Sequence, residues 1–227
     1  MNLKRSVIKA LGLIGVASTS QIANAQFGGL LGGGKSTGGG DVEGQINKFN
    51  SEAALISKAM SYAILQIQGA LGSKEEREKI KVKVEALNKA TDTKEINAIQ
   101  GEIIKSDMAA TTELMKSAEG KARMEKLEPE MQRKVAKSVF AVMLAGIKIK
   151  PMLDTGKNVI QGVGANPMML TKIGPVKDGL TLFGDALPKF PAFAEVGISM
   201  LRTVKIDPGN PTADSKLEPD TSVTIPD

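Results

Sequence analysis

From Gln45 to Leu71 the apolar residues return every three or four positions: Ile46, Phe49, Ala53, Ile56, Met60, Ala63, Ile67 and Leu71. That period lines one face of an α-helix; a strand would need alternation at every second residue. Elsewhere in the chain the β-branched alternation that marks strands is lacking. Composition points the same way. Aromatic residues are 3% of the 227, with one Tyr and no Trp, while 11 Met stand beside abundant Ala, Leu, Lys and Glu. Good helix formers dominate, and the core has to be aliphatic, with flexible Met filling irregular gaps. The predicted fold is all-α: an antiparallel bundle of about four long helices, then several short helices punctuated by Gly and Pro.

Local signals place the boundaries. Gly72 ends the first helix where a C′ glycine belongs. Ser73 with Glu76 reads as a capping box that opens a second helix over Lys74–Lys89, with Ile80, Val84 and Leu87 inward. Asp92 with Glu95 opens a third, Thr93 to Ala118, whose inward stripe is Ile96, Ile99, Ile103, Met108, Thr111 and Met115. Residues 120–128 are polar and receive no assignment. Pro129 between two glutamates suits the first turn of a fourth helix, with cationic Lys148 and Lys150 in its last turn. Pro151 is expected to end or kink it. Pro167, Pro175 and Pro191 mark the starts of short helices.

The first 25 residues read as an address. Lys4, Arg5 and Lys9 precede a short apolar run from Ala10 to Ala17, and Ala23-Asn24-Ala25 is an A-x-A cleavage site. The expected product begins at Gln26 and is periplasmic or secreted. The domain plan is therefore a signal peptide (1–25), a Gly-rich linker (26–44), a helical domain (45–206, with the bundle at 45–150 and the short-helix layer at 151–206) and a disordered acidic tail (207–227). Gly29 to Ser36 matches the P-loop pattern G-x-x-x-x-G-K-[ST], but no strand feeds it and three glycines follow it, so it reads as linker.

The chain's net charge of +5 is unevenly spread. The leader carries three bases and no acid, so of 30 bases and 25 acids the mature part keeps a net +2. The tail holds five acids and Lys216, a net −4, and the linker holds −1, which leaves +7 on residues 45–206. A basic body with an acidic tail allows the tail to fold back on the body or to compete there with an anionic partner.

The chain has no Cys and no His. Ser-His-Asp and Cys-His triads, the usual zinc sites and Cys- or His-held haem and iron–sulfur centres are thereby excluded on its own side chains. No cofactor or metal site is predicted. Glu75, Glu76 and Glu78, like Glu125, Glu128 and Glu130, are explained as helix-start carboxylates. Ser138 near Lys134 and Lys137 is the nearest approach to a Ser-Lys pair and reads as a helix-face serine. The mixed charges of 74–83 and the scarcity of aromatics argue against nucleic acid.

Val139 to Ile147 is the longest strongly apolar run of the mature chain. It is too short to span a bilayer and reads as a buried central helix, or as part of an amphipathic unit lying on a membrane. Val139, Phe140, Met143, Ile147, Lys148 and Lys150 are the candidate membrane or partner face. The expected function is a non-enzymatic exported helical protein that binds a partner protein or an anionic envelope component. Two other readings remain compatible with the residues: a membrane-surface-active protein, and a hydrolase using Ser-Lys or carboxylate chemistry.

Overall fold

The computed structural model describes residues 42–163 and 167–226. The leader, its cleavage site and the glycine run with the P-loop-like stretch lie outside the described residues. Among the described residues there is no strand, as the periodicity predicts. The helices are α1 (Val42–Leu71), α2 (Lys74–Lys89), α3 (Thr93–Glu102), α4 (Met108–Lys116), α5 (Ala118–Lys126), α6 (Pro129–Val163), α7 (Gly174–Ala186) and α8 (Phe190–Thr203). A π-turn, Ile103–Asp107, joins α3 to α4, and 3-10 turns at Pro167–Lys172 and Leu187–Lys189 flank α7.

The starts follow from the caps. Ser73 Oγ accepts from Glu76 N–H and the Glu76 carboxylate accepts from Ser73 N–H, the reciprocal pair that the sequence predicts. Asp92 accepts from the amides of Lys94 and Glu95. Ser117 caps α5 through Gly120 N–H, so the unassigned polar stretch is helical too. The end of α1 departs from expectation. Gly72 is not left-handed, since positive φ among the described residues belongs to Lys205 and Gly209 alone. Instead two arginines satisfy the last carbonyls: Arg77 donates to Ala70 O and Gly72 O, and Arg123 to Leu71 O. Their charge also suits the negative end of the helix.

The central helix is α1, not α6. Its first half buries the predicted stripe of Ile46, Phe49 and Ile56; from Ala59 to Leu71 it is buried almost all round, Ser61, Tyr62, Gln66 and Gly69 included. α6 runs along it, and α2, α3, the π-turn, α4, α5 and α7 pack on its remaining sides. A helix apolar on every side has to be enclosed in this way.

α6 does not stop at Pro151 but continues to Val163. Proline offers no N–H to the Ile147 carbonyl and its ring crowds that oxygen. Ile147 is 38% exposed and Pro151 is exposed too, so water can take the released carbonyl. The expected division at residue 151 between bundle and short-helix layer therefore falls inside one helix.

Some of the glycines that read as punctuation are holes in helices. An added Cβ at Gly156 would lie 2.6 Å from the Phe49 ring, and one at Gly179 would lie 2.9 Å from it. α6 and α7 thus close on Phe49, which has no exposure. Gly146 receives Phe190 of α8 in the same manner. Enclosing a phenylalanine side chain is worth about 1.5–3 kcal/mol, of the same order as the roughly 1 kcal/mol that each helical glycine costs against alanine.

The segment after α8 is irregular, as its composition predicts, but it is not a loose tail. Lys205 N–H donates to Arg202 O and Ile206 N–H to Leu201 O, with Lys205 at φ 59°. This is a Schellman turn with lysine where glycine is usual. It sends residues 207–226 back across α6 and α1 as a strap. Leu217 is buried, and Val223 and Ile225 pack against the core.

Candidate binding groove

The strap does not seal the body everywhere. Between α1, α6 and the strap lies a groove of about 780 Å³. Its floor is made of small side chains, Ala59 and Ala63 of α1 with Ala136 and Ala141 of α6, and it is walled by Phe140, Leu144 and Leu217. Ala59 and Ala63, one helical turn apart, leave a channel because nothing projects beyond Cβ. Arg133 and Lys137 of α6 and Lys216 of the strap stand with Asp207, Glu218 and Asp220 around it.

Polar contacts along the strap are specific. Gln66, 5% exposed in α1, reads one residue of extended backbone twice: its Nε2 donates to Thr224 O at 2.9 Å, and its Oε1 accepts from Thr224 N–H at 2.8 Å. Lys134 Nζ donates to Thr224 Oγ1 at 2.9 Å, and Arg77 donates to Pro226 O at 3.2 Å. Lys148 Nζ donates to Ala213 O at 3.1 Å. Gln66 would be costly to bury without partners, and the strap supplies them. The hydroxyl and then the amide of Ser222 donate to Asp220, and the Lys134 and Lys137 ammoniums lie near. Together they hold its carboxyl below the ordinary aspartate range.

The six residues of the predicted face do not share one surface. Val139 is wholly buried and fits the hole at Gly197 of α8. Phe140 lines the groove, Met143 is half-buried, and Lys148 holds the strap. Ile147 and Lys150 face solvent. Helical period puts Val139, Met143 and Lys150 on one side of α6, yet Val139 is buried and Lys150 exposed, so what separates the six is where α8 and the strap cover the helix. Ser138 Oγ donates to Lys134 O at 3.0 Å, while the Lys134 amine is engaged by Thr224. The Glu75 and Glu78 carboxylates pair with Lys79 and Lys81, and Glu76 caps α2.

Gln66, Arg77 and the alanine floor went unnoticed in the sequence. One signal was available for Gln66: with Gln68 it interrupts the otherwise apolar run Ala63 to Leu71. A second polar cluster lies on the opposite flank. Asp107 in the π-turn accepts from Lys83 Nζ at 2.7 Å, and its carbonyl takes Thr111 Oγ1 and Gln68 Nε2. These contacts are internal, and Asp107 lines neither the groove nor the two smaller cavities beside the strap. Among the described residues no three carboxylates converge as a metal set, and no helix is long and apolar enough to cross a membrane. No family model, curated protein or solved structure matches this chain.

Proposed function

We propose that this chain is an exported, non-enzymatic helical protein that binds a partner protein or a cell-envelope component in the groove between α1, α6 and the strap. The observation that carries the reading is the groove itself, about 780 Å³ with a small apolar floor and charges of both signs at its rim. Such a site favours an apolar group presented by a polar chain. Export rests on the charged leader, short apolar run and Ala23-x-Ala25 site.

Two measurements test it. Expressed from its first codon in a Gram-negative host, the protein should be recovered from the envelope fraction with Gln26 at its N-terminus. An intact leader on cytoplasmic protein would end the export part. A photo-crosslinking residue at Phe140 should give a discrete adduct in those cells that the same residue at exposed Lys94, outside the groove, does not. Equal labelling at both positions would remove the groove as a binding site. Covalent capture of Ser138 by a serine-directed probe would overturn the non-enzymatic reading.

A further inference from the structure

The strap is bound as a peptide ligand would be. Its main chain is read by Gln66 in the paired donor-and-acceptor manner of a strand added to a sheet edge. Its alternate residues Val223 and Ile225 pack against the core, with Ile225 over the bare backbone of Gly69. Its Asp220 lies in the field of Lys134 and Lys137. These recognition elements sit on α1, α2 and α6, far along the chain from the strap they hold. Only the hinge after α8 ties occupant to site. That hinge carries a non-glycine residue in the left-handed region, Lys205 at φ 59°, and Gly209 at φ 80°.

We propose that the α1–α6 face is an interaction surface for a second copy of this chain, whose residues 207–226 exchange with those of the first. Every contact of the closed form is kept in the exchanged pair, because the occupant is the same segment. The basic face of α6 and the acidic strap remain complementary across the copies. What differs is the hinge. A short linker holds the strap near its own seat on α1 and α6 at an effective concentration of order millimolar, so exchange grows with protein concentration. Opening the hinge also frees Lys205 from a backbone region that L-residues avoid. The inference concerns the strap that walls the proposed binding groove, and it depends neither on export nor on a foreign partner.

The absence of cysteine makes the test clean. An added Cβ at Gly69 would lie 2.9 Å from Ile225 Cγ1, so cysteines at these two positions are within disulfide reach. In the otherwise intact chain, the double variant Gly69→Cys/Ile225→Cys should oxidise to a closed monomer. Failure to close would mean that the strap does not rest on α1, and would overturn the proposal. Differently tagged single variants, Gly69→Cys and Ile225→Cys, should give a mixed disulfide dimer after incubation. Its yield should rise with concentration and exceed by about tenfold that of a Gly69→Cys and Lys94→Cys mixture. A mixed yield no higher than that control overturns the exchange. Lys205→Pro cannot adopt the closed hinge, and in both partners it should raise the mixed dimer roughly tenfold; an unchanged yield counts against the proposal. Far-UV circular dichroism verifies that each variant keeps its helices. A foreign adduct at Phe140 without mixed dimer would end the exchange and leave the proposed function standing.

Discussion

Phe49 and the two glycines that enclose it show how much a single position can carry. Helical period places Phe49 on the inner face of α1, and no local signal says that Gly156 and Gly179 will meet it. Gly156→Ala should therefore destabilise the protein by about 1–3 kcal/mol, because the ring is confined and the added methyl has nowhere to go. Gly101 in α3 has open space around its Cβ direction. Gly101→Ala should stabilise by up to about 1 kcal/mol through helix propensity alone. Thermal melts read both, at about 2–4 °C per kcal/mol for a chain of this size. Equal effects of the two alanines would refute the assignment of Gly156 as a packing hole. At this scale the caps at Ser73 and Asp92 were legible, since each depends on neighbours three residues away. The left-handed Lys205 was not, since its turn is imposed by where the strap must go.

At the scale of elements, α2 and the start of α6 stand where the sequence places them. α1 and the far half of α6 needed the fold. The stripe from Ile46 to Leu71 is real, but burial between Ala59 and Leu71 reaches residues off the stripe because other helices surround that end of α1. Pro151 is a reliable local breaker that tertiary packing overrides: Met152, Leu153, Gly156, Val159 and Val163 are all buried and hold the next turns helical. Since Pro151 is itself exposed, Pro151→Ala removes no core contact and restores a backbone donor. Its expected effect is a gain of about 1 kcal/mol or more in urea unfolding, with an unchanged m-value. A loss of stability would show that the proline shapes α6 in a way the packing requires.

Across the whole molecule the charge asymmetry becomes a contact. The strap lies against the basic side of α6, where the Asp220 carboxylate is held ionised first by the Ser222 hydroxyl and amide within the strap and then by the Lys134 and Lys137 ammoniums of α6. Its pKa in the folded chain is below the value in an unfolded one. Its contribution is therefore complete above the ordinary aspartate range and is lost as pH falls through the lowered folded-state value. Acidification should raise amide exchange at Val223 to Ile225 before it raises exchange in α1, and added salt should do so more weakly. Asp220→Asn should flatten the acid dependence of strap protection. If that variant still loses the strap at the same pH as the parent chain, another group controls it.

The sequence by itself determined that the chain is helical, where most helices begin, and that a basic body precedes an acidic segment. Period, capping chemistry and charge are local or additive, so they can be counted along the chain. The tertiary structure alone decided that α1 is the centre, that glycines serve as holes for Phe49 and Phe190, and that residues 207–226 form a strap. Each of those depends on residues distant in sequence meeting in space. Gln66 with Thr224 is the plainest case: a buried amide requires a partner, and only the fold says which backbone supplies it.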